Sequence, residues 1–116
     1  MRCNRGELVL VPFPFTDLST TKQRPALVVS PNDFNKRQED LILLAVTSQV
    51  PRSAHELDIS LDQEDMAVGR IPKRSLIKLS KIFTVHHGLI VKRVGKVRDK
   101  KLRFSRISRG DVYILR

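Results

Sequence analysis

The chain has 116 residues, 41% of them hydrophobic, and a formal net charge of +10. That length fits one domain (residues 1–116) with a modest core; no apolar run approaches the roughly 20 residues of a membrane span, and the polar opening is not a signal peptide. The single Cys3 excludes an intrachain disulfide, provides no metal framework and points to a reducing, cytoplasmic setting.

The charge is segregated along the chain. Residues 1–69 carry 7 Lys+Arg and 10 Asp+Glu, a balance of −3, whereas residues 70–116 carry 15 Lys+Arg against Asp99 and Asp111, a balance of +13. Such a basic half raises the local concentration of polyanions and speeds their association. RNA, DNA or an acidic protein is the partner this favours, and a solvated basic face is the plainer alternative.

The first element is Glu7-Leu-Val-Leu-Val-Pro-Phe13, β-rich and apolar on both faces, with Pro12 and Pro14 placing its end at an edge or bend. Residues 15–23 are polar and rich in hydroxyls, hence a loop. Pro25 biases Arg24 towards extended geometry, and a second strand runs on through Val29. In the polar stretch 31–40, Asn32 is positioned to cap a short turn of helix. Leu41-Ile-Leu-Leu-Ala-Val-Thr47 reads as a third strand buried on both faces.

Residues 55–61 alternate cleanly, with Leu57, Ile59 and Leu61 on one face, and residues 63–70 read as an acidic loop ending at Gly69. The longest strand predicted is 75–85, with Leu79 and Phe83 inward and Lys78 and Lys81 free for a surface. A further apolar stretch covers 89–97. Asp99 as N-cap and Gly110 as stop then predict a helix in the basic tail. Several short strands in a small domain predict a mainly β protein with short helices, a compact and partly open barrel.

Four segments in this order carry a resemblance: Gly6-Glu-Leu-Val-Leu-Val-Pro-Phe-Pro-Phe-Thr-Asp17, Lys22-Gln-Arg-Pro-Ala-Leu-Val-Val-Ser30, Leu43-Leu-Ala-Val-Thr-Ser-Gln49 and Ser75-Leu-Ile-Lys-Leu-Ser-Lys-Ile-Phe-Thr-Val85. Together they resemble the MazF/PemK toxins of bacterial toxin–antitoxin systems over about residues 5–98. The resemblance implies an SH3-like, partly open β-barrel of the MazF/CcdB type with a helical or irregular C-terminal tail. It also implies a homodimer that cleaves single-stranded RNA without a metal or other cofactor and is silenced by an acidic antitoxin. Arg24 falls where the family keeps its catalytic arginine and Thr47 where it keeps the active-site threonine. Thr16, Asp17, Ser19, Thr20, Lys22 and Gln23 fall in the loop over the RNA site (residues 16–23), Phe15 stands beside it as a candidate for base stacking or for the core, and Ser48 and Gln49 follow Thr47. Two departures stand out: Ser19 and Thr20 occupy a region where some members carry a glutamate, and Leu79-Ser80-Lys81 stands where relatives often have an acidic and an amide residue. Some relatives of the same fold poison DNA gyrase instead, so a non-catalytic gyrase poison or nucleic-acid-binding barrel is the alternative.

The chemistry is consistent with these residue types. RNA supplies its own nucleophile, the 2′-hydroxyl, so the protein needs only to align it and to stabilise the charge gathering on phosphorus. A planar guanidinium such as Arg24 suits the second task, and its proton is held too tightly for it to act as an acid. Lys78 and Lys81, with Arg70, Lys73 and Arg74, would wall an RNA groove by contacts to phosphate. Histidine catalysis is disfavoured, because adjacent His86 and His87 point to opposite faces if in a strand and to solvent if in a turn, and His55 stands alone. No His/Cys/Asp spacing suits a closed metal site.

Overall fold

The computed structural model describes residues 2–13, 22–49 and 57–102. Seven strands account for most of them: β1 (Glu7–Phe13), β2 (Lys22–Val28), β3 (Asp40–Thr47), β4 (Asp58–Leu61), β5 (Met66–Gly69), β6 (Ser75–His86) and β7 (Lys92–Val97). Helix α1 (Asn32–Arg37) joins β2 to β3, and α2 (Asp99–Leu102) follows β7. Every strand pair is antiparallel, in the order β4-β6-β3-β2-β1-β7-β5. The mainly β, partly open barrel read from the sequence is therefore what forms.

Strands that are apolar at every position must bury both faces, and β2 and β3 do. Because side chains alternate along a strand, Leu27, Val29, Leu44 and Val46 enter one core and Ala26, Val28, Leu41, Leu43 and Ala45 another. The first core also takes Leu8, Leu61, Met66, Ile77, Leu79, Val97 and Leu102. It thus draws on all seven strands and on α2, which requires the sheet to curl around it into a half-barrel. The second core lies on the outer face of the central strands and adds Cys3, Val9, Val11 and Ile90. Burial there is the main reason the Cys3 thiol titrates above its ordinary value, with the charge of Glu7 adding to the effect. Leu57, Ile59 and Leu61 share the inner core, as their alternation predicts.

Three expectations need correction. Residues 63–70 are not a loop: a 3₁₀ turn at Gln63–Asp65 leads into β5, which pairs with β7. Only Met66 of β5 is buried, because the strand lies at the sheet edge, so its sequence shows no alternation to read. Asn32 opens α1 without capping it; Pro31 holds the cap position, and Asn32 Oδ1 instead accepts the Arg5 N–H at 2.7 Å. Phe83 packs against the outer core, opposite in face to Leu79. The tail does turn helical at Asp99, and its predicted continuation to Gly110 falls outside the described residues.

The cause of the Phe83 reversal is a break in β6. Leu44 pairs with Ile82, but its neighbour Ala45 pairs with Lys78, so Leu79, Ser80 and Lys81 have no partners on β3. They form a bulge, the device by which sheets redirect side chains. Leu79 turns into the core and its N–H donates to the Leu57 carbonyl at 3.0 Å, while Ser80 and Lys81 are left exposed.

Candidate nucleic-acid site

Strand β2 pairs with β3 through Ala26↔Ala45, Leu27↔Leu44 and Val28↔Leu43. The pairing ends there, and Arg24 and Thr47 each lie two residues beyond its last pair, Ala26↔Ala45. Both lie two positions from alanines of the outer core, so the pleat directs both side chains to the outer face. On the other side Arg24 is opposite Val11 of β1, also an outer-core residue. Arg24 is half-buried with its Nε fully covered, which restricts the arm that carries the guanidinium.

Thr47 ends its strand in a small turn. The Gln49 N–H donates to Thr47 Oγ1 at 3.1 Å, a local bond that Ser and Thr commonly make at turns. One lone pair of the hydroxyl is thereby used and its proton remains available for donation outward. Ser48 and Gln49 are exposed just beyond; Lys22 and Gln23, expected in the loop, instead open β2, where they pair with Phe13 and Pro12 and are exposed. Phe15, Thr16, Asp17, Ser19 and Thr20, expected in or beside the covering loop, lie outside the described residues.

Lys78 differs from the expectation of a free surface cation. It stands opposite Ala45 on the outer face, and its Nζ lies 3.2 Å from Asp58 on β4. The Asp58 side chain is 1% exposed and that of Lys78 20%, so this is a covered ion pair on the outer face, on the same face of the sheet as Arg24 and Thr47. Asp58 was missed because the alternation around it marks the position only as facing away from Leu57 and Ile59. Nothing local reveals a partner twenty residues later. Lys81, on the bulge, is exposed, as are Arg70, Lys73 and Arg74; Arg74 lies 3.5 Å from Asp62.

The histidine reading is also corrected. His86 ends β6 and His87 begins a 3₁₀ turn (His87–Leu89), so strand alternation fails between them. Their rings stack with centroids 4.5 Å apart, and both Nε2 atoms approach Glu39 Oε2, at 3.3 and 3.0 Å. The hydrogen bond from His87 is the main cause that holds the Glu39 carboxyl below its ordinary range. This cluster stands at the opposite end of β3 from Thr47. Seven residues of strand, about 23 Å at 3.3 Å each, separate Asp40 from Thr47.

Among solved structures, the MazE–MazF complex of Deinococcus radiodurans is similar with a TM-score of 0.71 at 18% identity, covering 97% of each chain. The Mycobacterium tuberculosis toxin MazF-mt6 gives 0.69 at 14%, over 95% of this chain and 98% of that one. A mycobacterial endoribonuclease in complex with its cognate antitoxin gives 0.67 at 17%, over 91% and 87%. At such identities the likeness establishes the fold. No curated protein sequence gives a significant match. Family membership comes from the sequence itself: residues 4–104 match the family described as PemK-like, MazF-like toxin of type II toxin–antitoxin system. The chain therefore belongs to the PemK-like, MazF-like toxins of type II toxin–antitoxin systems.

Proposed function

We propose that this toxin is an endoribonuclease that cuts single-stranded RNA by attack of the 2′-hydroxyl, without a metal. What supports the reading is the β2–β3 register: its last pair is Ala26↔Ala45, and Arg24 and Thr47 each lie two residues beyond it on the same face. A scissile phosphate between them would meet a guanidinium and a hydroxyl at once. The 2′-oxygen attacks phosphorus as its proton passes to water, the bond to the 5′-oxygen breaks as that oxygen takes a proton from water, and the products are a 2′,3′-cyclic phosphate and a 5′-hydroxyl. Arg24 neutralises the charge that builds on the non-bridging oxygens, and Thr47 donates its remaining proton to one of them. Such preaimed donors are each worth about 10²–10³ in rate.

Lys22, Gln23, Ser48, Gln49 and Lys81 then line the approach. Lys78 acts with its charge partly answered by Asp58, as a positioned donor more than a free cation. A homodimer, cytoplasmic location and an acidic antitoxin that folds onto the basic surface complete the proposal.

The test is incubation of the purified protein with a long single-stranded RNA in EDTA. Discrete fragments with 5′-hydroxyl ends are expected, and Arg24→Ala should slow their appearance by about 10²–10³. Intact RNA, or cutting by Arg24→Ala at the parent rate, overturns the reading. Trapping of gyrase on DNA without RNA cleavage would replace it with the gyrase-poison alternative.

A further inference from the structure

We propose that Glu39, His86 and His87 form a binding site for a borderline divalent cation, zinc by the chemistry of its donors. Two imidazole nitrogens and one carboxylate oxygen are the ligand set that zinc prefers when one position is left to water. The three donors lie within 4.8 Å of one another. The distances from Glu39 Oε2 to the two Nε2 atoms, 3.3 and 3.0 Å, are close to the spacing of about 3.4 Å that ligands adopt around tetrahedral zinc with bonds near 2.0–2.1 Å. A small shift apart would admit the ion.

The backbone holds these groups in place without a metal. Asp40 pairs with His86 in the β3–β6 ladder, and the His87 N–H donates to the Glu39 carbonyl at 2.9 Å. The two carboxylate oxygens are already divided between duties: Arg2 approaches Oε1 at 3.7 Å, while Oε2 faces both imidazoles. An outer partner on the non-ligating oxygen orients a carboxylate ligand in the way metal sites generally require. His86 and Glu39 are exposed enough for an ion to enter.

One contact must change. The Gly88 N–H donates to His86 Nδ1 at 2.9 Å, which places the ring proton on Nε2, facing Glu39. Binding through Nε2 moves that proton to Nδ1 and opens the Gly88 contact, which lowers the affinity for the ion. The bound ion would clamp the start of β3 to the end of β6 and stabilise the fold by mass action. It would do so far from Arg24 and Thr47, so the site is independent of RNA cleavage.

The experiment uses the full chain, stripped with chelator and titrated with ZnCl2 and, separately, CoCl2. One equivalent should bind, Co2+ should give the visible absorption of a low-coordinate site, and Zn2+ should raise the melting temperature. In NMR spectra zinc should move the Gly88 amide and convert His86 to the Nδ1–H tautomer. Glu39→Gln and His87→Ala should each weaken binding by about tenfold or more, with folding checked by circular dichroism, while His55→Ala should leave it unchanged. No binding at 100 μM metal, equal binding by His87→Ala, or an unmoved Gly88 amide overturns the proposal.

Discussion

Asp58 places a carboxylate where only 1% of its side chain meets solvent, and Lys78 answers it at 3.2 Å. Two charges taken out of water forfeit much of their hydration, so leaving one of them alone is worse than removing both. Asp58→Ala should lower the unfolding free energy by about 3 kcal/mol, and adding Lys78→Met should restore most of the loss. Urea denaturation of the parent, the single variants and the double variant measures this coupling. Equal losses in the single and double variants would show that the pair is not a unit. The same logic explains why the sequence could name Lys78 but not its role. Its lysine character is local, whereas its burial and its partner come from another strand.

At the level of elements, β5 is held to β7 by a close approach of two glycines. Gly69 pairs with Gly95, and Gly69 has φ +81°, a backbone conformation that side-chain-bearing residues rarely adopt. A Cβ on Gly95 would stand 2.3 Å from the Val68 carbonyl oxygen and 2.8 Å from the Met66 methyl. The nearer contact is with backbone, so it cannot be relieved by a rotamer change. Gly95→Ala should cost about 2 kcal/mol and selectively speed amide exchange in Met66–Gly69; uniform exchange across the sheet, or an unchanged melting temperature, would contradict it. The long strand β6 was readable because apolar residues dominate it, but its bulge was not. Nothing in Leu79-Ser80-Lys81 announces that β3 skips three residues there. The turn at His87 was one of two readings open for the histidine pair, but their shared partner Glu39 was not legible, since it comes from the far side of β3 in the chain.

For the whole molecule, the dominant long-range property is charge: +10 overall, concentrated after residue 70. Single-stranded RNA bound by neutralising four phosphates should lose affinity with a log–log salt slope of about −2.8, roughly fifty-fold between 50 and 200 mM salt. Filter binding with the Arg24→Ala variant, which still binds but cuts slowly, would read it. A slope near zero would mean that the basic half does not face the RNA. The residues alone determined that the protein is a small, mainly β barrel with a basic C-terminal half, and which strands are buried on both faces. Hydrophobic period, proline placement and charge are local properties, and they survive translation into structure. Only tertiary pairing decided that the strands carrying Arg24 and Thr47 lie side by side, that Lys78 meets Asp58, and that two neighbouring histidines turn to one glutamate. Registers, bulges and strand ends are set between segments far apart in the chain, and no stretch of sequence records them by itself.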